Sequence, residues 1–197
     1  FRSIQMLDEV EPNIVSICSP QEFHAEHLEI CLNHNVPMVW LEKPPVETLE
    51  QLTYLENKRC QSKRPSQVLV NFFRRYHFAY RQLKKLLAEQ YFGETLTVNI
   101  SYSKGLADNG LHMLDLIFYL FGDEKYQILW SETKNNNSNN PSFTLRLESG
   151  VTIYVNGTDT EYHNLDIIVT AEMGRFSIIH GGMTTRIEKK IEHELFP

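Results

Sequence analysis

Ile14-Val-Ser-Ile-Cys-Ser-Pro20, then Glu22 to His34, then Pro37-Met-Val-Trp-Leu-Glu-Lys-Pro44 read as strand, helix and strand in immediate succession. The first run is β-branched and stopped by a proline, as a strand buried on both faces of a parallel sheet would be. In the helix, Phe23, His27, Leu28, Ile30, Cys31 and Leu32 leave a partly apolar stripe that Asn33-His-Asn35 breaks. The unit is therefore βαβ, with the right-handed crossover that nearly all such units share. Lys43 emerges at the carboxyl end of the second strand, on the edge where open α/β sheets bind ligands, and Glu42 beside it is placed to hold its ammonium.

Working outward, Val46 to Cys60 reads as a helix with Leu49, Leu52 and Leu55 on one side, and Ser66 to Phe72 as a further apolar strand. Near residue 72 the organisation changes. His77 to Gln90 is an amphipathic helix ending before Gly93, and Glu94 to Tyr102 alternates apolar and polar residues as a half-buried strand does. His112-x-x-Asp115 opens another amphipathic helix, and strands follow over Gln127–Glu132, Ser142–Glu148, Val151–Asn156, Leu165–Thr170 and Arg175–His180. Glu148-Ser-Gly-Val151 is a hairpin turn whose glycine supplies a permissive backbone. The expected architecture is an α/β unit followed by an α+β unit with an open, mostly antiparallel sheet. Lys134 to Pro141 is a polar loop with no partner implied.

The charge balance, 19 Lys+Arg against 25 Asp+Glu, argues against a nucleic-acid surface, although Phe72-Phe-Arg-Arg-Tyr76 with Arg81, Lys84 and Lys85 is locally basic and aromatic. No apolar run reaches the roughly 18 residues of a membrane span, and no signal peptide opens the chain. Cys18, Cys31 and Cys60 are odd in number and lack metal-like spacing; two fall in elements expected to be buried, which suits reduced thiols in a cytoplasmic protein. His24, His27 and Cys31 would supply only three ligands from one helix, so no metal site is expected. In a cytoplasmic setting, the glycosylation patterns at Asn99, Asn136 and Asn156 carry no meaning.

Ile14 to His24, Leu41-Glu-Lys-Pro-Pro45, Phe73-Arg-Arg-Tyr76 and Asn109-Gly-Leu-His-Met-Leu-Asp115 with Tyr119-Leu-Phe-Gly122 stand in an order and spacing that covers most of the chain. This pattern resembles the glucose-fructose oxidoreductase / inositol dehydrogenase (Gfo/Idh/MocA) family. The resemblance implies that residues 1–72 are the C-terminal part of a Rossmann-like dinucleotide-binding domain and residues 73–197 an α+β substrate and oligomerisation domain. It also implies truncation at both ends. Phe1 to Val10 resembles the segment before the fourth strand of the nucleotide domain, and Glu194-Leu-Phe-Pro197 stops where family members continue. The phosphate-cradling Gly-x-Gly-x-x-Gly and the acidic residue that receives the adenosine ribose are missing from these residues.

By the same resemblance, Lys43, Asp108 and His112 are the catalytic candidates. Oxidising a sugar hydroxyl by hydride transfer needs a base for the hydroxyl proton and a cation for the developing alkoxide, and lysine and histidine supply both. Asp108 shares a face with His112 if the helix begins early, or lies in the loop if Asn109-Gly110 caps it. Ser19, Pro20, His24, Glu42 and Lys43 would line NAD or NADP. Arg75, Tyr76, Lys104 and Asp115 are the substrate candidates, with Arg75 and Lys104 suited to a phosphorylated or nucleotide-linked sugar. Phe73 departs from the asparagine common at that position, and Leu111 from a smaller residue. The implied function is NAD(P)-dependent hydride transfer to or from a hydroxyl carbon of a sugar or sugar derivative, by a homo-oligomer built through the C-terminal sheet. A non-catalytic binding or oligomerisation module is the alternative, favoured by the missing glycine-rich turn and opposed by the retained Lys43, Asp108, His112 and Asp115.

Overall fold

The computed structural model describes residues 3–134 and 138–191; Asn136, Phe1-Arg2 and Glu194–Pro197, singled out above, lie outside the described residues. The chain divides into two compact units, Phe1–Phe72 and Phe73–Pro197.

The first unit opens with helix α1 (Ser3–Val10), followed by strand β1 (Ile14–Ile17), helix α2 (His24–Asn33), strand β2 (Met38–Leu41), helix α3 (Leu49–Gln61) and strand β3 (Gln67–Val70). The three strands pair in parallel in the order β1-β2-β3. Leu7, Ile17, Leu28, Cys31, Leu32, Val36, Val39, Leu41 and Leu55 form its core. A capping box starts α3: the Thr48 hydroxyl accepts from the Gln51 amide at 3.2 Å and the Gln51 side chain accepts from the Thr48 amide at 3.3 Å.

Three expectations for this unit need correction. β1 is an edge strand of the described sheet, so Ile14 is 60% exposed and only Ile17 is buried, not both faces throughout. Cys18, just beyond that strand, is exposed, whereas Cys31 is buried and its thiol is pushed up to about 11 by burial. Of the three leucines expected on one side of α3, only Leu55 is buried. A spacing of three falls about 60° short of a full helical turn at each step, which rotates Leu49 and Leu52 away from the core.

The second unit carries helix α4 (Phe78–Ala88), strand β4 (Thr95–Tyr102), a π-helical turn (Gly105–Gly110), helix α5 (Leu111–Phe121) and strands β5 (Tyr126–Glu132), β6 (Ser142–Leu147), β7 (Thr152–Gly157), β8 (Leu165–Ala171), β9 (Gly174–Ile179) and β10 (Thr184–Lys189). The strands form one sheet in the order β10-β9-β8-β4-β7-β6-β5, antiparallel except for the β4–β7 pair. β10 has no alternating apolar signal in Thr184-Thr-Arg-Ile-Glu-Lys189 and was not among the expected strands. Inward residues Val98, Ile100, Tyr102, Ile153, Val155, Leu165, Ile167 and Val169 pack with Ala79, Tyr80 and Leu83 of α4 and Met113, Leu116 and Ile117 of α5. The opposite side mixes polar residues with apolar ones such as Tyr154 and stays partly open.

Gly150 turns the β6–β7 hairpin with φ of 92° and donates its amide to the Leu147 carbonyl at 2.9 Å. Gly157 answers a different need: a Cβ there would lie 2.1 Å from the Asn140 carbonyl oxygen, on backbone that cannot swing aside. We expect Gly157→Ala to destabilise this unit by about 1–3 kcal/mol in chemical denaturation, the usual cost of forcing extra volume into a packed site.

Candidate active site

In the first unit, parallel pairing brings the ends of β1, β2 and β3 to one edge. There the buried His24, the first residue of α2, lies between two loops. Its Nδ1 is 2.6 Å from the Pro44 carbonyl oxygen and its Nε2 2.8 Å from the Ser19 carbonyl oxygen. Carbonyl oxygens only accept, so each contact that forms a hydrogen bond uses a ring N–H. The histidine ties the loop after β1 to the loop after β2 rather than facing solvent. Ser19 adds a 3.0 Å hydrogen bond between its hydroxyl and His27 Nδ1. Glu42 accepts the side-chain amide of Asn71 at 2.6 Å, and the Asn71 backbone amide donates to the Leu41 carbonyl at 2.8 Å. Asn71 thus braces the Glu42-Lys43-Pro44 loop from the end of β3. Lys43 itself is half-buried, and the Lys43–Pro44 peptide bond is cis.

Asn71 was not among the candidate residues. Its position immediately after a strand, at the same sheet edge as Lys43, was the signal available for finding it.

In the second unit, the helical run bearing His112 begins as the π turn and continues into α5, with Gly110 in ordinary helical geometry and no side-chain cap. The helical run therefore includes Asp108 and does not leave it in a loop. Asp108 is exposed and stands one turn before His112 on a continuous helical run, while His112 is buried and packs edge-on against the Phe73 ring with centroids 4.9 Å apart. Phe73 is 50% exposed and occupies the departure from the family pattern.

Asp115, one turn further along, is buried and receives Arg75 through a forked arrangement: Nε donates to Oδ2 at 2.8 Å and to Oδ1 at 3.0 Å, and Nη2 donates to Oδ1 at 2.5 Å. Burial pushes the Asp115 carboxyl above its ordinary range, and the Arg75 partner works against that rise. Arg75 also lies over Tyr119, whose ring carries the Lys84 ammonium 4.0 Å from its centroid. Tyr76 is exposed at the end of the same short turn as Arg75. Lys104, in a left-handed conformation, directs its ammonium to the Glu161 carbonyl. Arg75 and Asp115 are therefore brought together, whereas the hydrogen bond of Lys104 goes to a different loop.

Residues 2–72 match the family model GFO_IDH_MocA, described as an oxidoreductase family with an NAD-binding Rossmann fold. The first unit is thus similar to this family over nearly its whole length. Among curated proteins, D-glucoside 3-dehydrogenase of Escherichia coli is 31% identical over 138 residues, covering 59% of this chain and 38% of that protein. Inositol 2-dehydrogenase 2 of Mycolicibacterium vanbaalenii is 32% identical over 126 residues, covering 58% and 36% respectively. The chain thus spans little more than a third of the length of these relatives. Among solved structures, an NAD binding oxidoreductase from Klebsiella pneumoniae matches with a TM-score of 0.84 at 13% identity, covering 98% of this chain and 61% of that one. The WlbA dehydrogenase from Chromobactrium violaceum, in complex with NADH and UDP-GlcNAcA, matches at 0.79 and 18%, covering 97% and 63%. At such identities these likenesses establish the fold.

Asp115 generates a pH prediction. A carboxyl whose folded pKa lies above its unfolded value binds more protons when folded. Stability from this group is therefore fully present below the unfolded pKa and falls as pH rises through the window up to the raised folded value. In urea denaturation across that window, Asp115→Asn should remove this component of the slope.

Proposed function

We propose that the protein containing this chain is an NAD(P)-dependent oxidoreductase that moves a hydride to or from a hydroxyl carbon of a sugar or sugar derivative, a sugar nucleotide included. The observation that carries this is the carboxyl edge of the first unit: Ser19-Pro20, Glu42-Lys43-Pro44 and Asn71 converge there, braced by buried His24. It is joined to the family match and to sugar or polyol dehydrogenases among the relatives.

The residues present fit one end of a dinucleotide. Three parallel strand ends form the kind of crevice that receives a nicotinamide, and Lys43 supplies a cation there. Residues 1–72 contain no glycine, so a glycine-rich phosphate cradle is not among them. Bound at this edge, the nicotinamide would accept or return the hydride. Ser19, Pro20 and Glu42 would line it, His24 would hold the two loops at their spacing, and Lys43 would handle the hydroxyl proton or stabilise the alkoxide.

In the second unit, His112 would act as the proton acceptor, with Asp108 one turn before it. Arg75, oriented by Asp115, and Tyr76 would meet the sugar, and Lys104 an anionic substituent. This assigns residues 1–72 to the cofactor and residues 73–197 to substrate and assembly, in a cytoplasmic enzyme. No helix among the described residues is long and apolar enough to cross a membrane.

In the full-length protein, with turnover followed by nicotinamide absorbance over a panel of polyols, sugars and sugar nucleotides, Lys43→Ala and His112→Ala should each lower kcat by roughly 100- to 10,000-fold, the range for loss of a positioned acid or base. Full turnover by Lys43→Ala would overturn the assignment.

We further propose a homo-oligomer joined through the outward side of the seven-stranded sheet. Thr144, Tyr154, Asn99 and Ile168 are cross-strand neighbours along one row, mixing apolar and small polar groups, and Tyr154 is 42% exposed. Tyr154→Glu should then reduce the mass measured by light scattering to that of a smaller species; an unchanged mass counts against this surface.

A further inference from the structure

Among the described residues, Asn109 is one of few buried polar side chains, and its amide is committed at both ends. Its Nδ2 donates to the Ser103 carbonyl at 2.9 Å, and its Oδ1 lies 2.9 Å from His163 Nε2. A carbonyl accepts only, so the bond to Ser103 fixes which end of the amide is nitrogen; Oδ1 must then face His163, and His163 Nε2 carries the proton and donates. We infer that His163, on the segment between β7 and β8, is a positioning residue for His112 and acts through Asn109. The inference rests on the role proposed above for His112.

The physical case is the π turn itself. Gly105–Gly110 winds with hydrogen bonds one residue longer than those of an α-helix, and such turns survive where surrounding structure holds them. Relaxing this turn by one residue would rotate the following helix by about 100° relative to the core, since an α-helix advances 3.6 residues per turn. His112 would be re-aimed with it. What holds the turn comes from two other segments. Asn140 Oδ1 accepts from the Gly105 amide at 2.7 Å, and the Asn139 carbonyl accepts from the Leu106 amide at 2.8 Å. The segment carrying His163 is stitched to Ser103: the Ser103 hydroxyl donates to the Tyr162 carbonyl at 2.9 Å and accepts from the Asn164 amide at 2.8 Å.

These bonds anchor the beginning of the turn. The bond from His163 reaches its far end, three residues before His112. It is also a side-chain donor from an exposed position, so removing it leaves the backbone ties intact.

The experiment compares His163→Phe, which keeps a planar ring but loses the donor, with His163→Gln, whose amide nitrogen can replace Nε2. Two readouts are taken on the full-length protein: the His112 ring proton–carbon NMR signal, assigned by its loss in His112→Ala, and steady-state kinetics. The expected result is a displaced His112 signal in His163→Phe, with kcat lowered between about 10- and 100-fold, the scale of a small misplacement of a reacting group, and the KM for the nicotinamide cofactor within about twofold. His163→Gln should restore both. A His112 signal in His163→Phe that superimposes on the wild type overturns the inference, whatever happens to turnover or melting temperature. If His112→Ala keeps full turnover, the proposed role of His112 falls, and the ring signal still decides whether His163 positions that side chain.

Discussion

Parallel pairing of three short strands is the constraint on which the first unit depends. Strands that run the same way deliver their carboxyl ends to one edge, so Ser19, Glu42, Lys43 and Asn71 are assembled by direction alone. An antiparallel pairing of the same residues would send neighbouring ends to opposite edges. Once past the strands, however, the backbone leaves the hydrogen-bonded ladder, and its polar groups need other partners. The buried His24 ring lies between two loops, with one ring nitrogen against a carbonyl of each. Asn71 donates its side-chain amide to the Glu42 carboxylate.

The second unit solves a related problem with buried polar pairs on a helix. Asp115 is taken out of water on α5, which disfavours its charge, and Arg75 supplies the compensating hydrogen bonds. Removing one partner of such a pair costs more than the pair contributes, because the other is left uncompensated. Arg75 is thereby held in one orientation. Asn109 plays the corresponding part for backbone, satisfying Ser103 inside a helical turn that would otherwise have a choice of winding.

Much of this organisation is legible in the residues. Strand and helix types, the change of character near residue 72, and the placement of Lys43 at a strand end follow from local periodicity and from breakers such as Pro20 and Asn33-His-Asn35. The failures are equally local in origin. β1 has the composition of a buried strand but lies at an edge of the described sheet, and which strand is central is decided by pairing. Leu49 and Leu52 have apolar side chains, yet a spacing of three carries them round the helix and away from Leu55. β10 is a strand because β9 offers it a partner over six residues, although its own sequence is almost wholly polar.

The sequence by itself determined the βαβ unit, the edge on which Lys43 emerges and the helix that carries His112, because these depend on the side-chain period and the chain direction. Only the tertiary structure decided which polar groups meet. His24 finds the Pro44 carbonyl 20 residues away, Arg75 finds Asp115 at 40 residues and Asn109 finds His163 at 54. Such partners are brought together by loops and sheet order, and a hydrogen bond leaves no periodic trace in the chain that forms it.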